Sequence, residues 1–184
     1  MTGAAAFVAW LGAAVIVLAD GRRGLALGLA LTTAGFAVVA WLGGESLAAA
    51  AVLLGGGVAA AQRLRTGPDV WGVMPPGSTA RVVLCIAGGL LALWISTSVM
   101  TGPGAPLRFA VLSVLGLMAA RAAGEAENAP LLTALAALAL AVGMASSLAD
   151  VSAGPAPFIA AALIAAGVSF VRVATFGRSP GAGH

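Results

Sequence analysis

The sequence predicts an all-α, polytopic integral membrane protein of about seven transmembrane helices, with the N-terminus outside and the C-terminus cytoplasmic. Three observations carry that expectation. The 184-residue chain is 61% hydrophobic and only 8% charged, with a mean hydropathy of +1.08, whereas an ordinary soluble domain is about 45–50% apolar and about 25% charged. Seven apolar stretches approach the roughly 20 residues that a helix needs to cross a bilayer core. The arginines between those stretches fall on alternate sides in the pattern that seven crossings require.

The predicted spans are 4–19, 24–43, 46–62, 82–100, 106–123, 130–148 and 156–174. Only Met1, Thr2 and Gly3 precede the first span, and Arg22 and Arg23 follow it directly before the second. Without a basic leader it reads as a retained helix and not a cleaved signal. The second span opens on Gly24-Leu-Ala-Leu-Gly28, a small-xxx-small spacing that lets helix backbones approach closely. The third is short and carries Gly55, Gly56 and Gly57, yet removing it would break the alternation of the arginines. Gly102-Pro103-Gly104-Ala105-Pro106 joins spans four and five, Pro130 opens span six, and Gly154-Pro155-Ala156-Pro157 enters span seven. Proline is best tolerated in the first turn of a helix, so each fits a helix start. The chain therefore reads as one transmembrane domain over 1–184, with a short cytoplasmic loop at about 63–80 and a tail at about 175–184.

Eight arginines sort to the cytoplasmic side: Arg22, Arg23, Arg63, Arg65, Arg81, Arg121, Arg172 and Arg178. Arg108 stands alone outside, a strong positive-inside bias over short loops. Asp20, Asp69, Glu125 and Glu127 accompany the cytoplasmic arginines, while Glu45 and Asp150 lie outside.

The inventory excludes several chemistries. All basic residues are arginine, so no lysine amine exists for a Schiff base. The one histidine is His184, leaving no imidazole inside a span to ligate haem. Cys85 is the one cysteine, so there is no thiol pair, and it reads as a small packing residue. HExxH and GxSxG signatures are missing. The high isoelectric point reflects an arginine excess without the basic, aromatic-interleaved stripe of nucleic-acid binding. We expect no catalytic, cofactor-binding or metal-ligating residues and no nucleic-acid partner.

Ionisable side chains within a membrane are functional candidates because burying charge is costly. Here every Asp, Glu and Arg lies near a span end, and Arg108, Arg121 and Arg172 are placed to snorkel toward headgroups. Glu45, Arg108 and Asp150 form a candidate outer-rim polar set, with solvated loop or cap residues as the alternative. Two acids without His or Cys make a poor metal site. Thr32, Thr33, Ser96, Thr97 and Ser98 either line a narrow path or bond back to their own helix carbonyls. Gly24 and Gly28 are candidate helix-packing residues, for partner subunits or for the bundle itself. Trp41 and Trp71 suit the two interfaces, and Trp10 and Trp94 read as packing residues. Trp71, Met74, Pro75 and Pro76 form either a partner-docking loop or a plain connector.

The run Phe7-Val-Ala-Trp-Leu-Gly-Ala-Ala-Val-Ile-Val-Leu-Ala, the turn Asp20-Gly-Arg22-Arg23, the helix opening at Gly24 and the acidic turn Gly43-Gly44-Glu45-Ser46 resemble the small membrane subunits of the hydrogenase-4, Mrp antiporter and complex I group. The component E type is nearest, over the first three spans. This sequence lacks the mid-helix glutamates and lysines that some of those subunits use to move protons. The resemblance therefore implies a supporting role.

The expected function is a non-catalytic accessory subunit of a larger membrane complex, respiratory or ion-translocating, in a bacterial inner membrane. Its partners would be lipid and other membrane subunits, and it would hold no cofactor. The rival is a small-molecule transporter or channel acting alone or as a homo-oligomer, with Glu45 or Asp150 at its mouth. The topology is testable by thiol labelling of single cysteines placed at Ser46 and Ser78 in a Cys85→Ala background. Impermeant reagent should reach position 46 from outside and position 78 only after permeabilisation; labelling of both from one side would overturn the seven-span assignment.

Overall fold

The computed structural model describes residues 1–66, 79–99, 104–124, 127–149 and 154–171. Asp150, the loop residues Trp71, Met74, Pro75 and Pro76, and the tail with Arg172, Arg178 and His184 lie outside the described residues. The protein is all-α and polytopic. Its helices are α1 (Thr2–Leu18), α2 (Arg22–Leu42), α3 (Ser46–Arg65), α4 (Thr79–Trp94), α5 (Ala105–Gly124), α6 (Asn128–Ala149) and α7 (Ala156–Phe170). A single π-helical turn, Ile95–Val99, continues α4. Among the described residues there is no strand. Among the described residues, five helices, α2 to α6 with α4 counted through its π turn, are long and apolar enough to cross a membrane. α1 and α7 are shorter, at 17 and 15 residues.

Each helix coincides with one predicted span. The glycine-bearing third span is a full helix of 20 residues reaching Arg65, while the seventh stops at Phe170 because Val171 turns to an extended conformation. Ala and Leu favour helix intrinsically, and a chain surrounded by hydrocarbon must satisfy its backbone groups internally. The α2–α3 turn shows how the chain reverses. Gly44 adopts φ +89°, the left-handed conformation that glycine takes without penalty. There the Gly44 N–H donates to the Trp41 carbonyl and the Glu45 N–H to the Ala40 carbonyl, closing a Schellman cap.

Six helices form a closed ring in the order α1, α2, α3, α7, α6, α5, and α2 meets α6 across its middle. α4 stands outside the ring, touching α1 and α5. The ring is tight because its seams are built from small residues. A Cβ at Gly12 would strike the Thr32 backbone and the Gly28 carbonyl, and one at Gly35 would strike the Ala9 backbone. Gly28 is equally closed, against Ile16 and the Gly12 carbonyl, so the GxxxG face of α2 packs on α1 within the molecule. Gly24, one turn earlier, is half-buried. Gly56 receives Thr33, Gly55 lies on Ala162 of α7, and Gly143 of α6 meets Ala161. Phe36, Ile16, Leu25, Leu29, Leu117 and Met118 fill the space between the seams.

Gly12→Ala should therefore destabilise by about 1–3 kcal/mol, the range for overpacking a filled core. A Cβ added at Gly57 would meet nothing within 4 Å, so Gly57→Ala should be neutral or stabilising by up to about 1 kcal/mol. Thermal unfolding in detergent compares the two.

Candidate functional site

The helices alternate in direction, and polar side chains gather at the two ends of the bundle. At one end lie the α1–α2 turn, the start of α4 and the end of α5. Asp20 accepts hydrogen bonds from Arg81 Nη1 on both carboxylate oxygens, at 3.0 and 3.2 Å. It also accepts one from Arg121 Nη2, which donates as well to the Ala19 carbonyl at 3.3 Å. The Arg121 side chain is 4% exposed, while those of Asp20 and Arg81 are each about a third exposed. Among the described residues, the Asp20 carboxylate thus serves two guanidinium groups. Its role is mechanical, since it pins the first turn of α4 to α1 and α5. Arg63, in the last turn of α3, is also buried, at the carbonyl end of its helix where a cation is favoured.

The arginines at the helix edges therefore differ from the sequence expectation. Arg108 and Arg121 do not snorkel outward. Both are buried and turn to protein acceptors. Arg108 Nη2 donates to the Ser96 carbonyl at 3.3 Å, across the gap between α5 and the π turn of α4. Helix-end carbonyls, and Asp20 for Arg121, supply the acceptors that headgroups would otherwise offer. Trp94 is corrected too, because it projects from the bundle at 59% exposure and is no packing residue. Trp10 does pack, beside Phe7 with ring centroids 5.1 Å apart.

The hydroxyls of the helices bond back to their own backbones. Thr32 Oγ1 donates to the Gly28 carbonyl at 2.9 Å and Thr33 Oγ1 to Leu29 at 2.7 Å. Ser96 and Thr97 both donate to the Leu93 carbonyl, at 3.0 and 2.8 Å. Thr32 faces α1 and Thr33 faces α3, each against a glycine, so the pair lines a seam on either side of α2.

At the opposite end, Glu45 lines a cavity of about 200 Å³ with Gly43, Leu107, Ser146, Ser147 and Phe158. It lies where α2 and α6 end and α3, α5 and α7 begin. A larger apolar groove of about 400 Å³ runs between α1 and α4, walled by Phe7, Trp10, Leu90, Leu93 and Phe109. The Trp10 Nε1–H is buried against Gly89 with no acceptor among the described residues. Of the predicted rim residues, Glu45 stands at this cavity. Arg108 follows the cavity-lining Leu107 but turns its guanidinium toward α4. Asp150 lies outside the described residues.

The chain matches no family model, no curated protein and no solved structure. Among the described residues, no group of three His, Cys, Asp or Glu is placed to hold a metal ion.

The Asp20 cluster is the residue set that the sequence reading missed. The available signal was Asp20 standing between a span end and an arginine pair, on the same side as Arg81 and Arg121. Asp20→Asn removes the Asp20 carboxylate from buried Arg121. It should cost up to about 3 kcal/mol, short of the penalty for a wholly buried pair because Asp20 meets solvent. Arg81→Gln should cost about 1 kcal/mol or less, as for an exposed pair. Thermal melts of the two variants test this ordering.

Proposed function

We propose that this chain is a non-catalytic, accessory subunit of a larger membrane complex of the bacterial inner membrane, of respiratory or ion-translocating type. The observation that carries the reading is the closed interior of the ring. α2 and α6 meet across its middle, and the span-centre hydroxyls Thr32 and Thr33 are satisfied by their own helices. Among the described residues, ionisable side chains keep within about a turn of a helix end. An ion or proton path needs polar groups at depth, and this ring fills that depth with Ala, Gly, Val and Leu.

The outer helix supports the same reading. α4 leaves Val83, Ile86, Leu90, Leu91 and Trp94 each more than half exposed, with Ile86 and Leu90 along the rim of the groove beside α1. Such a ridge offers a partner helix a continuous apolar surface. The likeness of the first three spans to small subunits of the hydrogenase-4, Mrp antiporter and complex I group fits a supporting role.

Gentle solubilisation followed by native mass spectrometry tests the proposal. Stoichiometric membrane partners should be recovered, and a photo-crosslinker at Leu90 should join the chain to one of them. A clean homo-oligomer that transports a solute in liposomes would overturn it.

A further inference from the structure

The cavity at the Glu45 end has a chemistry that the accessory role does not use. Among the described residues, its polar side-chain atoms serve as hydrogen-bond acceptors. Glu45 contributes a carboxylate that makes no hydrogen bond or ion pair with another described residue. Ser146 and Ser147 commit their hydroxyl hydrogens elsewhere, to the Gly143 carbonyl at 2.6 Å and the Met144 carbonyl at 2.7 Å. A hydroxyl has one hydrogen to donate and two lone pairs to accept with, so with those bonds kept both serines accept from a ligand in the cavity. The rest of the lining is apolar, with Val39, Leu107, Met144 and Phe158.

Two other sources of charge do not reverse that sign. Carbonyl ends of α2 and α6 and amide ends of α3, α5 and α7 meet at this level, so their end dipoles oppose one another. Among the described residues the nearby cation is Arg108, and its Nη2 donates to the Ser96 carbonyl in the π turn of α4.

We propose that this cavity binds a small alkylammonium ion. The ammonium would donate its hydrogens to Glu45 and to the serine oxygens, and its alkyl body would lie against Leu107, Met144 and Phe158. An aromatic wall adds attraction for a cation. A bare calcium ion fits poorly, because it takes six to eight oxygen ligands, and the described lining offers one carboxylate. A neutral molecule of the same shape leaves the carboxylate unpaired. At about 200 Å³ the space falls below the roughly 300–1,000 Å³ of sites for drug-sized ligands, which confines the ligand to a few carbons. The inference does not rest on the accessory-subunit reading, since an isolated chain would bind in the same way.

Equilibrium binding of radiolabelled n-butylammonium to the full chain in nanodiscs tests it. Binding should saturate and be displaced by unlabelled n-butylammonium, but not by equal concentrations of n-butanol or sodium. Glu45→Gln keeps the size of the side chain at an exposed turn and should weaken binding at least tenfold. Glu127→Gln removes a carboxylate from the opposite end and should leave binding unchanged, while matched melting curves verify that both variants are folded. Unaltered binding in Glu45→Gln would overturn the proposal. So would displacement by n-butanol, which would show apolar partition alone, or by sodium, which would show a simple inorganic cation site.

Discussion

The close contact between α1 and α2 is the constraint on which the rest of the architecture depends. Inside a bilayer, apolar surface is as well solvated by lipid tails as by another helix, so association rests on packing distance and hydrogen bonds. Gly12, Gly28 and Gly35 bring the two backbones together so closely that a methyl group fits at none of them. Thr32 sits in that seam with its hydroxyl bonded to Gly28, which satisfies the polar group without opening a gap. Once this pair is fixed, Thr33 presents itself to Gly56 and draws in α3, and Gly55 in turn accepts α7. From α1 through α2, α3 and α7 to α6 the ring is a chain of such small-residue contacts, the last through Gly143, and α5 closes it between α6 and α1. Part of the Ala and Gly content that marks the composition is thus used within the molecule.

Electrostatics acts at the ends of this frame. Charges that would be prohibitive at mid-membrane are set where helix termini supply acceptors. Asp20 joins three otherwise separate segments, and Arg108 bridges α5 to the π turn. These contacts hold α4, which has few apolar contacts with the ring and depends on its ends. Cys85 and Gly89 add two further touches, at the Ala14 carbonyl and the Trp10 ring.

The sequence revealed the helices well because hydropathy over 15 to 22 residues is an additive signal, and Gly-Pro turns mark where it breaks. Helix neighbours were less legible. GxxxG announces close packing without naming the partner, so Gly28 could be marked as an interface residue but not assigned to α1. Side-chain direction at the span ends was the least legible. Arg108 and Arg121 occupy positions from which snorkelling and inward bonding are equally reachable, and only the placement of Ser96 and Asp20 decides between them. Glu45 stood out as an acid in an outer turn, but its meeting with two serine oxygens depends on α6 delivering Ser146 and Ser147 to the same place. That juxtaposition spans about a hundred residues and leaves no local trace.

The short seventh helix carries a consequence for the surrounding bilayer. At a rise of about 1.5 Å per residue, 15 residues span about 22 Å, whereas the hydrocarbon core is about 30 Å thick. Its ring neighbours α3 and α6 have 20 and 22 residues, so the apolar belt of the protein is uneven around its circumference. Lipid meeting the described length of α7 would thin to match it, at a cost of fractions of a kcal/mol per Å, a one-sided pinch that favours thinner membrane regions and neighbours that thin the bilayer in the same way.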